Sequence, residues 1–226
     1  MKQHYNTTLG LKQISRIGAQ CVFCGLMATG ALLNSKVQAA EAGKPTVAMG
    51  LAQFDKEISA LRNQISGTMA ALQDVKATAN QNGDLTKPYA SFSGAFQALE
   101  SQTEKVRQYG TAAKARAKEH WEVWQKELTA MQNPSLREKA QDRYTATSKQ
   151  FDKIVERVET AKESFAPFMA DLRDINTYLK TDLSKDAVSS LSGTIWKLGN
   201  AARSVDNKLG DISEEIARTM KKMPQV

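Results

Sequence analysis

The sequence has 226 residues, 41% of them hydrophobic and 7% aromatic, with two cysteines, two histidines and a formal net charge of +7. That supply of nitrogen and sulfur ligands excludes a zinc centre built from several histidines, and a length of this order allows one or two domains. Four of the 31 basic residues (Lys2, Lys12, Arg16, Lys36) and none of the 24 acidic ones fall before residue 40, so the remainder carries only +3 and has little drive toward nucleic acid.

The N-terminal segment reads as a targeting signal. Lys2, Lys12 and Arg16 precede an apolar run from Cys21 to Leu33, which falls short of the about 20 apolar residues a bilayer span requires. Val37-Gln38-Ala39 supplies a small-x-small cleavage site. These features describe a secretory signal peptide over residues 1–39, cut after Ala39, and place the rest of the chain in the periplasm or outside the cell. An uncleaved N-terminal anchor is the alternative. Cys21 and Cys24 leave with the signal, so their C-x-x-C spacing carries no redox or zinc chemistry. Bulky Phe23 before Cys24 does not suit lipid attachment.

From Thr46 the apolar residues follow a helical period. Leu51, Phe54, Ile58, Leu61, Ile65, Thr68, Leu72 and Val75 alternate steps of three and four, a heptad seam. This predicts a first helix over 46–79, ending in the turn formers Asn80-Gln81-Asn82-Gly83-Asp84. A second, over 86–132, opens with Thr86 as cap and Pro88 in the first turn. Its seam runs Tyr89, Phe92, Phe96, Leu99, Thr103, Val106, Gly110, Ala113, Ala117. Two consecutive steps of four then lead to Trp121, before Trp124, Leu128 and Met131. Such a slip interrupts the heptad phase. Gly110, Ala113 and Ala117 suit close helix packing.

A third helix over 135–181 starts at a capping box, Ser135 with Glu138. Its seam runs from Leu136 through Tyr144, Phe151, Ile154, Val158, Phe165, Phe168 and Ile175 to Leu179, with Pro167 expected to kink it. A fourth over 184–222, capped by Asp182 or Ser184, carries Val188, Leu191, Ile195, Leu198, Ala202, Val205, Leu209, Ile212 and Ile216. Lys221 and Lys222 near its end suit the helix dipole.

No segment alternates with period two. The connections are short, which makes successive helices antiparallel neighbours. The expected fold is all-α: residues 40–226 form a single helical domain, an elongated up-down-up-down four-helix bundle of coiled-coil type with a long central hairpin. The first helix is the shortest of the hairpin's neighbours, so the bundle is expected to lose it near Ala117, where the phase slips. The stretch from Trp121 to Tyr144 would then project.

Catalytic constellations are scarce. Past the signal, His120 is the one histidine, between Glu119 and Trp121 in a helical run, and it suits a surface position better than a triad. The glycines are isolated, so no phosphate loop is present, and the carboxylates pair with Lys or Arg at helical spacing. No catalytic, metal or cofactor-binding residue is assigned, and no cofactor is implied. A polar-lined cavity between the helices would be needed to favour an enzyme or ligand carrier. The candidate interaction residues are Trp121, Trp124, Leu128, Met131, Leu136 and Tyr144 at the hairpin tip. Packing within the tip is the plainer explanation of this cluster; a partner surface is the functional one, because tryptophan is enriched in binding hot spots.

His120-Trp121-Glu122-Val123-Trp124, Asn133-Pro134-Ser135-Leu136-Arg137, Phe165-Ala166-Pro167-Phe168-Met169-Ala170-Asp171-Leu172-Arg173-Asp174-Ile175 and Tyr178-Leu179-Lys180-Thr181-Asp182-Leu183 together resemble an uncharacterised bacterial envelope family, domain of unknown function 2959. The resemblance implies an exported, helical, coiled-coil-rich protein, often lipid-anchored, although a lipid-attachment motif is missing here. It implies no activity and no functional residues. The expected role is a non-enzymatic structural or interaction protein of the envelope, acting on an envelope partner or by self-association. A helical coat at a membrane surface is the alternative, which the mixed charges disfavour.

Overall fold

The computed structural model describes residues 46–223. The proposed signal over residues 1–39, with Cys21 and Cys24, lies outside the described residues. Five α-helices make up the described chain, which contains no strand: α1 (Val47–Asn80), α2 (Thr86–Ala130), α3 (Pro134–Thr181), α4 (Lys185–Ser190) and α5 (Ser192–Lys222).

The helix ends follow local hydrogen-bond chemistry. Thr46 caps α1 by accepting from the Met49 amide at 3.2 Å. α1 closes with Asn82 in the left-handed region (φ 57°) and the Gly83 amide donating to the Thr78 carbonyl at 3.0 Å. Thr86 is the first residue of α2 and not its cap. Asp84 Oδ1 accepts from both the Thr86 amide (2.9 Å) and its hydroxyl (2.7 Å). α3 likewise starts before Ser135. Asn133 is the cap, accepting from the Leu136 amide at 3.2 Å, and Pro134 occupies the first turn, where its missing N–H costs nothing. The helix carries Pro167 in its interior without ending there.

The expected fourth helix is two. Ser184 caps α4, accepting from the Ala187 amide at 3.1 Å, and the helix stops after six residues at Leu191. Ser189, Ser190, Ser192 and Gly193 surround the break, all weak helix formers. The Ser190 hydroxyl donates to the Ala187 carbonyl at 2.7 Å, the local competition that unsettles a helix interior. Val188 and Ile195 on either side are both fully buried, so the apolar seam runs on across the break.

Named contacts fix how the helices run. Along α1 and α2, Gln64 Nε2 donates to the Ala95 carbonyl (3.0 Å), Gln102 Nε2 to the Glu57 carbonyl (3.1 Å), and Gly50 lies against Ala113. Numbers rise on one helix as they fall on the other, so the pair is antiparallel. The same opposition relates α5 to α1 through Arg62 with Asp206, and Asn82, just past α1, meets Lys185, the first residue of α4. The opposition also relates α5 to α3, through Arg157 with Asp211 and Lys208 with Ser164. α2 and α3 are joined near their base by Arg173 with Glu100 at 2.6 Å and by the Tyr89 hydroxyl donating to the Asn176 carbonyl at 3.4 Å.

The core is the seam made physical. Every seam position of α1 from Leu51 to Val75 is buried, including Thr68, whose hydroxyl reaches the carbonyls of Gln64 (2.8 Å) and Ala95 (3.2 Å). Each large aliphatic side chain taken out of water contributes about 1.5–3 kcal/mol. The chain needs that contribution, since α1 to α5 contain no cysteine.

Candidate functional site

Three features depart from a uniformly packed set of helices. The first is the end of the α2–α3 hairpin. α1 begins at Val47, and Gly50 sits against Ala113 and Arg116. α5 ends at Lys222, whose ammonium donates to Gln150 Oε1 at 3.3 Å. Residues 118–130 of α2, roughly 20 Å of helix, therefore run beyond α1 with the first part of α3 as their companion.

Trp121, Trp124 and Tyr144 come together there. Trp121 and Trp124 have ring centroids 5.9 Å apart, and each meets Tyr144 edge-on, at 5.9 and 5.6 Å. Trp121 also meets Phe151 at 6.5 Å, which ties the tip to the main core. Such T-shaped pairs satisfy the ring quadrupoles. Leu128, 1% exposed, is buried away from the main cluster of core residues. Met131 is half-buried. Leu136 is 59% exposed and Val123, which the sequence did not single out, 42%. The six candidates thus divide into an aromatic knot of three, a buried leucine, a half-buried methionine and a leucine open to solvent.

His120 packs on the knot, 4.9 Å from Trp121 and 5.6 Å from Trp124. The residue stays exposed to solvent, but partial desolvation of the imidazole lowers its pKa below the usual 6.5, and Glu127 counters part of the effect. No group of three His, Cys, Asp or Glu suited to a metal ion occurs among the described residues.

The second region was not read from the sequence. In the middle of the hairpin α2 and α3 splay, leaving a cleft of about 620 Å³. Phe54, Ile58 and Leu61 of α1 with Leu209 and Ile212 of α5 line it as well. Val106 and Gly110 on α2 and Val158 and Phe165 on α3 are seam residues that remain only half-buried. A second recess, about 720 Å³, lies between α1 and α5 and mixes Ser59, Asn63, Ser66, Gln73 and Asn207 with apolar groups. It is bridged by the two-pronged pair of Arg62 with Asp206, at 2.7 and 2.9 Å. Their mutual hydrogen bonding holds the Asp206 carboxyl below the usual carboxylate range and raises Arg62. His120 at the tip is the one histidine among the described residues, so neither recess contains one.

A third feature is polar and buried. Glu215 is 2% exposed between α5 and α3, hydrogen-bonded to Gln150 and within 3.4 Å of Arg157 and 3.5 Å of Arg218. Its position beside Ile216 on the seam is the one sequence signal that could have marked it.

Residues 52–225 match the family model described as "Protein of unknown function (DUF2959)". No curated protein and no solved structure matches the chain.

Proposed function

We propose, for a chain that belongs to the DUF2959 family, a non-enzymatic role as an exported interaction protein of the bacterial envelope, with the α2–α3 tip as its working surface. One observation carries this reading: α2 and α3 outrun both α1 and α5 and present Leu136 and Val123 to solvent beside an aromatic knot. An apolar side chain on a stiffened projection is the arrangement a partner's pocket can use, because little conformational freedom is lost on docking. Export rests on the basic, apolar and small-residue order of residues 1–39. No helix among the described residues is long and apolar enough to cross a membrane. The antiparallel pairings of α1 with α2, α1 with α5 and α3 with α5 support reading the whole as an elongated up-down-up-down bundle, with α4 and α5 sharing the fourth position.

The test is in-cell photocross-linking of the full chain, with the reactive group placed at Leu136, at Val123 and, as a control, at exposed Ser59. The expected result is one envelope protein, or a second copy of this chain, captured from the tip positions and absent from the control. Equal capture from all three positions would sink the tip as the working surface. Recovery of the protein from the cytoplasmic fraction with residues 1–39 intact would sink export.

A further inference from the structure

We propose that the cleft between α2 and α3 binds the hydrocarbon tail of a single-chain anionic amphiphile of the fatty-carboxylate type. The interior leaves a polar ligand nothing to hold. Of the uncharged polar side chains lining it, the Thr103 hydroxyl donates to the Leu99 carbonyl at 2.7 Å and the Thr111 hydroxyl to the Arg107 carbonyl at 2.8 Å. The deep walls are leucine, isoleucine, valine and phenylalanine from four helices.

Size selects one tail. On α2 the lining runs from Thr103 to Lys114, which at the helical rise is roughly 17 Å. One acyl chain spans about 15 Å, half the hydrocarbon core of a bilayer. Beyond its two ends α2 and α3 meet again, through Arg173 with Glu100 at the base and Trp121 with Phe151 toward the tip.

Charge selects the head group. Exposed Arg107 and Lys114 on α2 and Lys162 on α3 flank the opening, with Glu159 the one carboxylate lining it. Arg107 rests on Glu104 at 2.6 Å and Lys162 on Glu159 at 2.7 Å. Lys114 makes no ion pair among the described residues. A carboxylate at the mouth would meet Lys114 directly and share Lys162, while its tail displaced water from the apolar floor.

The experiment is calorimetric titration of the full chain with octanoate, decanoate, laurate, myristate and palmitate, each below its critical micelle concentration. One molecule should bind per chain, with Kd falling roughly fourfold per added methylene until the tail fills the slot, after which the gain should stop. Dodecyltrimethylammonium should bind at least tenfold more weakly than laurate. Lys114→Glu, on the exposed rim, should weaken myristate binding by roughly tenfold and leave the melting temperature unchanged. Val155→Trp, which fills the cleft, should abolish binding. No binding of any carboxylate, equal affinity for the cationic tail, or myristate binding insensitive to Lys114→Glu would each overturn the proposal. So would association with diacyl phosphatidylglycerol vesicles that persists in both variants without one-to-one binding of free carboxylate, since that describes surface adsorption.

Discussion

Gly110 of α2 lies against the ring of Phe54 on α1: a Cβ placed on the glycine would come within 2.9 Å of Cε2 and 3.3 Å of Cζ. The two helices approach closely at this level because one of them has no side chain. Glycine in a helix interior costs about 1 kcal/mol relative to alanine, so an alanine here gains propensity and loses packing. Phe54 is 5% exposed and lines the cleft, so its ring must shift toward that space to admit a methyl, and overpacking typically costs about 1–3 kcal/mol.

Gly110→Ala should therefore destabilise the protein by about 1 kcal/mol in urea unfolding. Gly94→Ala, where nothing lies within 4 Å of the new methyl, should stabilise it by about 0.5–1 kcal/mol. In a Phe54→Leu background the penalty at Gly110 should vanish, which a double-mutant cycle would measure. Equal effects at the two glycines would mean that helix propensity alone decides, and that Phe54 moves without cost.

Heptad position proved a good guide to which way a side chain faces and a poor guide to what it meets. All eight seam residues of α1 from Leu51 to Val75 are buried, as their spacing implies. Val106 and Gly110 occupy equally regular positions on α2, yet they border the cleft, because the distance to α3 is set by packing elsewhere. Polar exceptions were beyond the pattern for the same reason. Glu215 is buried because Gln150 and Arg157 from α3 happen to face it, and neither partner is near in sequence. Ser184 caps where its residue type implies, but the starts of α2 and α3 were misplaced by one or two positions, because Asp84 takes the Thr86 amide and Asn133 caps α3 through the Leu136 amide. The tip's aromatic residues were visible as a cluster. Which of them would be covered depended on how far α1 and α5 reach.

Glu215 provides a sharp test of how its cluster is held. Removing the carboxylate leaves Gln150 Nε2 short of a partner, while Arg157 keeps Asp211 at 3.6 Å and is 40% exposed. Glu215→Ala should thus cost about 2 kcal/mol, the usual penalty for a stranded buried polar group and a small cavity. Glu215→Met together with Gln150→Leu, which replaces both partners by apolar groups, should lie within about 1 kcal/mol of the parent, because replacing a whole buried polar pair costs little whereas removing one partner does not. A double variant as unstable as the alanine variant would show that the charge itself holds α3 to α5.

His120 makes the tip sensitive to acid. Its pKa is lowered in the folded state by partial desolvation where it packs beside Trp121 and Trp124, with Glu127 opposing. A base with a depressed folded pKa takes up its proton more readily when unfolded. Its contribution to stability is complete above the unfolded value near 6.5 and is lost as pH falls through the lower folded value. The melting temperature should decline on acidification below about pH 6.5, and His120→Gln should remove that component of the decline. NMR titration of the imidazole checks the premise directly: a midpoint at or above 6.5 would mean the ring is free of the tryptophans in solution.

Leu128 and Leu136 lie eight positions apart across the hairpin turn and should behave oppositely. Leu128 is 1% exposed but sits outside the main core, so its truncation opens a cavity that only the tip can feel. Leucine to alanine at a buried site costs about 2–5 kcal/mol. Here that loss should fall on local opening, because residues 118–145 have few neighbours to share it. Hydrogen exchange in that stretch should accelerate by at least tenfold in Leu128→Ala, while amides facing Leu72 and Ile195 keep their protection. Leu136 is 59% exposed, and Leu136→Ala should change stability by no more than about 0.5 kcal/mol. A uniform rise in exchange across the whole chain in Leu128→Ala would mean that the tip folds as one unit with the rest of the bundle, tied to it through Trp121 and Phe151.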